Sequence, residues 1–220
     1  MDYQPYFPFI KNLTPDQSAQ MLASLRHLSF LKGESLHDGQ QCTGLFAVET
    51  GRLRAYILSA EGKEITLYHL EPYDICLFSA SCLLRSIQFE IQVEAAEDSR
   101  VILLPTPVYS RLRDENVSVA NYTNELLAAR FSEIMWLLDQ ILYKKLDSRL
   151  AAFLIEEKNL GHTPLVMTHE EISRHLGTAR EVISRMMKYF QKEGLIEQQR
   201  GCTRILNEKK LLDLARESLR

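Results

Sequence analysis

The stretch THEEISRHLGTAREVISRMMKYFQKEGLIEQQRGCTRIL, Thr168 to Leu206, decides how the last third of the chain folds. Thr168 and Glu171 stand three apart, the spacing at which a hydroxyl and a carboxylate cap a helix N-terminus reciprocally. Ile172 and Leu176 form the apolar face of a short helix, and Gly177 supplies a turn. Thr178 and Glu181 repeat the capping spacing. Val182, Ile183, Met186, Met187 and Phe190 then give a second helix its buried side. Two helices joined by a glycine turn predict a helix-turn-helix. GLIEQQRGCTRIL continues as two strands around Arg200-Gly201, a wing.

The second helix exposes Arg180, Glu181, Ser184 and Arg185 at i, i+1, i+4 and i+5, one face opposite the apolar one. These side chains suit the base edges of a DNA major groove. Arginine can bond guanine O6 and N7 together, glutamate can accept from a cytosine amine, and serine can bond either base type. Lys188, one turn on, and Arg200 in the wing are placed for phosphates, as is Thr178 at the helix start. The first helix, with N–H groups at Thr168 and His169, can also take a phosphate. If Glu181 folds back to cap its own helix, it is less free to meet a base. The plainer alternative for the whole segment is a solvated amphipathic helix pair.

Working towards the N-terminus, residues from Val117 to about Lys145 contain neither Gly nor Pro. Leu127, Phe131, Ile134, Leu138 and Ile141 step by four, three, four and three, a heptad-like seam on one long helix. Leu126, Trp136 and Leu137 add a second apolar strip. Such a helix needs two partners: the chain's own N-terminal part and, most simply, a second copy of itself, unless one monomer buries both strips. RLAAFLIEEKNL, after Ser148, reads as a further helix, and GHTPLVM as a loop and short strand. From about Ser29 to Pro105, short apolar runs alternate with turn signals. GLFAVETGRLRAYIL breaks at Thr50-Gly51, and FEIQVEA places Phe89, Ile91, Val93 and Ala95 on one side. Short strands with glycine turns predict an antiparallel sandwich or barrel. Before it, Thr14-Pro15-Asp16-Gln17 opens a short helix with Leu22, Leu25 and Leu28 on roughly one face.

Charge follows the same division. Of 26 Lys+Arg and 29 Asp+Glu in 220 residues, Ser148 to Arg220 holds 13 and 10, leaving 13 and 19 for the remainder. A basic end behind an acidic body points to two domains with different partners. No apolar run reaches the roughly 20 residues that span a bilayer, and MDYQPYFPFIKN has no basic stretch followed by an apolar one. The expectation is a cytoplasmic chain without a membrane partner.

EEISRHLGTAREVISRMMKYFQKEGLI resembles the helix-turn-helix of the Crp/Fnr family of bacterial transcription regulators. The order of segments agrees over nearly the whole chain. The resemblance implies an α+β protein: a cyclic-nucleotide-binding-like β-barrel of double-stranded jelly-roll form over residues 1–113, a dimerisation helix and hinge over 114–147, and a winged helix-turn-helix over 148–220. It implies a homodimer on a two-fold operator, with RNA polymerase as a further partner. The combination of Glu181, Ser184 and Arg185 is similar to the Fnr-type reader of TTGA-like half-sites, and Arg180 is shared with the Crp type. Ala179 departs from the pattern, since the family often has Ser or Thr ahead of the reading helix.

The sensor segment departs further. Relatives that bind nucleotide carry Gly-Glu and, about ten residues on, Arg with Ser or Thr. Here EPYD is followed by ICLFSASCLLRSIQFEIQVEA, with no Gly-Glu; Arg85-Ser86 lies too early, and the matching place falls near Phe89-Glu90. Cyclic AMP is therefore not the expected effector. An Fnr-type iron–sulfur cluster would need several N-terminal cysteines, and the first cysteine is Cys42. Cys76 and Cys82, in the same segment, pack as small hydrophobes, act as a redox pair, or hold a metal or haem. No C-x-x-C pair is present, and no cofactor or metal is assigned. The signal is an unknown small effector or a redox event. No Gly-rich phosphate loop, G-x-S-x-G or H-E-x-x-H points to an enzyme. The remaining alternative is a ligand or redox sensor that has lost DNA binding and acts through protein contacts.

Overall fold

The structure, a computed structural model, describes residues 2–37, 43–77, 90–199 and 201–219. Cys42, Cys82, Arg85, Ser86, Phe89 and Arg200 lie outside them. The described chain divides into two compact units, residues 1–61 with 67–134, and residues 62–66 with 135–220.

The first unit opens on a 3-10 turn (Pro8–Asn12) and α1 (Pro15–Ser24). Thr14 caps α1 as the sequence predicts: its hydroxyl accepts from Gln17 N–H, and Gln17 Oε1 accepts from Thr14 N–H. The helix ends sooner than its leucines suggest. Leu25 is its C-cap, and Leu28 already lies in β1 (Arg26–Phe30). Met21 is the buried residue of α1, while Leu22 is exposed. Phe7, Phe9 and Met21 together anchor this opening segment in the core.

β2 (Ser35–His37), β3 (Gly44–Thr50), β4 (Leu53–Leu58), β5 (Glu64–Leu70), β6 (Ile75–Cys76), β7 (Gln92–Ala95) and β8 (Ser99–Pro105) complete two four-stranded sheets. One has the order β1-β8-β3-β6 and the other β2-β7-β4-β5. This is the double-sheet, jelly-roll-like arrangement expected from the short alternating runs. Successive side chains of a strand point to opposite faces, and the first sheet is buried on both. Phe46, Val48, Val101 and Leu103 pack with Ala55, Val93 and Ala95 of the second sheet. Leu45, Ala47, Ile102 and Leu104 pack on the other face with Phe7, Tyr109, Leu112 and Val119 from the flanking helical segments. Val101 to Leu104 of β8 is continuously apolar for this reason.

α2 (Thr106–Glu115) leads into α3 (Val117–Tyr143), the long helix expected from the Gly- and Pro-free stretch. Its seam does not behave as one strip. Leu127 and Ile134 pack partly against the cores of the first unit, whereas Phe131, Leu138 and Ile141 are exposed.

The second unit contains the end of α3, α4 (Leu146–Asn159), α5 (His169–Leu176), α6 (Arg180–Lys192), the β9–β10 hairpin (Ile196–Gln199 and Cys202–Ile205) and α7 (Glu208–Ala215). The expected short strand in GHTPLVM is a single bridge, Leu165 to Thr203. Ile172, Leu176, Ile183, Met187 and Phe190 share one core with Leu150, Phe153, Leu154, Ile196 and Leu211. Val182 does not belong to it; it is 37% exposed, because it sits next to Ile183 on the turn that faces outward.

That difference predicts a contrast in stability. Phe190→Ala, which empties a fully buried site, should cost about 3–5 kcal/mol. Val182→Ala should stay within about 0.5 kcal/mol. Urea unfolding followed by circular dichroism measures both.

Candidate nucleic-acid interface

α5 starts with the capping box that its sequence encodes. Thr168 Oγ1 accepts from Glu171 N–H at 3.1 Å, and Thr168 N–H donates to Glu171 Oε2 at 2.7 Å. The Thr168 hydroxyl also lies 2.9 Å from the same carboxylate oxygen. This corrects one expectation: the N–H of Thr168 is not free for a phosphate, because the box engages it. Glu170 and Glu171 in the first turn also place negative charge where a phosphate would have to sit.

α5 ends at Gly177, whose φ of 64° and ψ of 39° are left-handed, a conformation that glycine adopts without Cβ strain. Gly177 N–H and Thr178 N–H both return to Ser173 O. Arg149, on α4, donates from Nη2 to Leu176 O at 2.7 Å. Its guanidinium sits at the negative end of the α5 dipole, and burial holds its pKa below the usual arginine value. The turn between the two helices is thus tied to a third. Sequence spacing could not show this, since Arg149 and Leu176 are 27 positions apart.

α6 begins without a side-chain cap. Ala179 occupies the N-cap, and the second capping box does not form. Thr178 uses its backbone to close α5 instead. The consequence is favourable for recognition: Glu181 is exposed and is not folded onto the helix start. Arg180, Glu181 and Arg185 are exposed, Ser184 is half-buried, and Ile183, Met187 and Phe190 on the reverse side are buried. The four residues expected to share a face therefore do so. Lys188 is exposed on the next turn.

His169 joins three elements. Its Nδ1 lies 2.9 Å from Ser184 Oγ on α6, and its Nε2 lies 2.8 Å from Gln198 Nε2 on β9. Both ring nitrogens are thus engaged, while the backbone N–H of His169, the group expected to meet a phosphate, is a separate one. Gln198 was not among the residues singled out from sequence, because its partner is 29 positions away. An open groove of about 510 Å³ adjoins these residues, lined by Thr168, His169, Arg180, Gln199 and Gly201 among others. Gly201 holds a left-handed φ of 72° where β9 turns into β10.

In the first unit, Cys76 is fully buried on β6 in the apolar cluster between the sheets. That environment suits a packing thiol; its expected companion Cys82 lies outside the described residues. Nearby, Arg130 of α3 places its guanidinium 4.5 Å above the Tyr68 ring and 2.6 Å from Glu133 Oε2. Its Nη2 donates to Ile75 O at 3.4 Å. Among the described residues, no group of three or more His, Cys, Asp or Glu is placed to hold a metal, and no helix is long and apolar enough to cross a membrane.

A jelly-roll-like unit, a long helix and a winged helix-turn-helix with a polar reading face define a DNA-binding transcription regulator of the sensor-linked kind. Residues 27–116 match the cyclic nucleotide-binding domain and residues 148–214 the Crp-like helix-turn-helix domain. The chain is 30% identical over 200 residues to the fumarate and nitrate reduction regulatory protein of Yersinia pestis, spanning 84% of this chain and 76% of that one. It is 27% identical over 191 residues to the cyclic AMP receptor protein of Thermus thermophilus, spanning 86% and 88%. A crystal structure described as a transcriptional regulator of the Crp/Fnr family from Eubacterium rectale superposes with a TM-score of 0.93 at 48% identity, covering 96% of this chain and 99% of that one. The chain belongs to the Crp/Fnr family of transcription regulators.

The pKa of His169 is held below the ordinary histidine value, first by burial and then by the positive charges of Arg180 and Lys188. The unfolded chain therefore binds this proton at a higher pH than the folded one. Stability contributed by the neutral ring is full above about pH 6.5 and falls as the pH drops from there to the lowered folded value. Urea midpoints measured through that window should decline less for His169→Gln than for the parent.

Proposed function

We propose that this regulator acts as a homodimer on a two-fold operator, reading TTGA-like half-sites with α6. The observation that carries the reading is the exposed face of Arg180, Glu181, Ser184 and Arg185 on a helix whose opposite side is locked into the core. Arg180 and Arg185 offer guanidinium forks to guanine, and the uncapped Glu181 offers an acceptor to a cytosine amine. Lys188, Thr178 and the wing residue Arg200 contact the backbone and set the register. Such a protein works in the bacterial cytoplasm, with RNA polymerase as its further partner.

The apolar residues Phe131 (66% exposed), Leu138 (44%) and Ile141 (38%) on α3 are the surface offered to the second copy. Leu127 and Ile134 contribute less, since they already pack within their own chain. An event in the first unit controls the dimer by shifting a two-state equilibrium. The event is not cyclic AMP binding, because the segment after Asp74 lacks the Gly-Glu that takes a ribose in nucleotide-binding relatives.

Two measurements test the reading. In gel shifts against a panel of half-site variants, Arg185→Ala should relax the preference at one base position by roughly 1–3 kcal/mol. Lys188→Ala should weaken all sequences alike and lower the salt dependence. An Arg185→Ala protein with unchanged preference would refute the orientation given to α6. In sedimentation, Leu138→Asp should convert a dimer to a monomer that binds the operator weakly.

A further inference from the structure

The bonds around His169 decide more than the shape of the domain. Gln198 Nε2 belongs to an amide NH2 and can only donate. It faces His169 Nε2 at 2.8 Å, so that nitrogen must accept. The ring proton then resides on Nδ1, which faces Ser184 Oγ at 2.9 Å. His169 Nδ1–H therefore donates to Ser184, and the Ser184 oxygen accepts. The lowered pKa of His169 favours this neutral ring.

A hydroxyl has one proton to give and two lone pairs. With one lone pair engaged by His169 Nδ1–H, the Ser184 hydroxyl keeps its O–H and its second lone pair, and the O–H does not point at the nitrogen that donates to it. Serine by itself bonds donors and acceptors indifferently and discriminates poorly between bases. Held in this way, Ser184 has lost one of its two acceptor sites and none of its donor capacity, which tips it towards donating. Base-edge acceptors in the major groove are guanine O6 and N7, adenine N7 and thymine O4; the cytosine amine is not among them.

We infer that His169, with its proton placed by Gln198, is a specificity-positioning residue. It biases Ser184 towards donating and thereby favours an acceptor-bearing base at the position Ser184 reads. His169 acts on base choice through α6 and makes no base contact of its own. Nothing in the linear motif marks it, because its two partners come from different elements, 15 and 29 positions away. The inference rests on the proposed reading face of α6.

The test selects bound duplexes from a pool of double-stranded oligonucleotides with a randomised centre. It uses the full-length parent, Ser184→Ala, His169→Ala, Gln198→Ala and the double variant Ser184→Ala/His169→Ala, with melting curves recorded for each. Ser184→Ala should relax one base position per half-site by roughly two- to tenfold, the worth of one hydrogen bond. His169→Ala should relax the same position, and the double variant should be no more relaxed there than Ser184→Ala alone. Gln198→Ala, at a half-buried position on β9, should relax that position too and serves if His169→Ala does not fold. Uniform weakening by His169→Ala or Gln198→Ala, with the preference at the Ser184 position intact, overturns the inference while leaving the reading face standing. Intact preference in Ser184→Ala itself, or a parent that enriches no sequence, overturns both.

Discussion

The burial of Ile183, Met187 and Phe190 along one side of α6 is the constraint on which the molecule's function depends. Those three side chains fix the rotation of the helix, and a helix whose rotation is fixed can show only one set of residues outward. The outward set is Arg180, Glu181, Arg185 and the half-buried Ser184. α6 is positioned along its axis by the left-handed turn at Gly177 and by Arg149, which holds the last carbonyl of α5. Packing, turn geometry and one half-buried guanidinium together orient the exposed face of α6, and no single residue on that face orients itself.

Much of this was legible in the linear chain. The helix-turn-helix, the wing, the long helix and the α1 capping box all rest on local signals: a cap three residues ahead, a glycine at a helix end, a 3.6-residue period. These signals work because each depends on neighbours a turn or less away. The misses have two physical sources, competition between local signals and contact between residues far apart in sequence. The Thr178/Glu181 box has the right spacing, yet Thr178 closes the preceding helix, so two local motifs competed for one residue. Leu25 and Leu28 continue a helical period beyond the end of α1, yet Leu25 only caps the helix and Leu28 belongs to the sheet. Arg149, Gln198 and α7 were not anticipated at all. The first two matter only through partners 27 and 29 positions distant.

The same limit separates the two ends of the chain. The helix-turn-helix is built from capped, amphipathic helices and a glycine turn, so a motif reveals it. The first unit is spread over two sheets and α3, where the visible chemistry is a fully buried cysteine in an apolar cluster and a guanidinium committed to Tyr68, Glu133 and a carbonyl. These groups stabilise a packed interior between the sheets. The seam of α3 is divided in the same unit-by-unit way: Leu127 and Ile134 pack partly within the first unit, while Phe131, Leu138 and Ile141 are exposed.

Reading of DNA by two copies of α6 together, as proposed, is tested most directly by a hydroxyl-radical footprint of the unmodified protein on a duplex enriched from a random pool. Two inverted TTGA-like half-sites are expected, protected on one face of the duplex, with centres about one helical turn apart. A single protected half-site, or binding that no sequence improves and that salt abolishes uniformly, would contradict it.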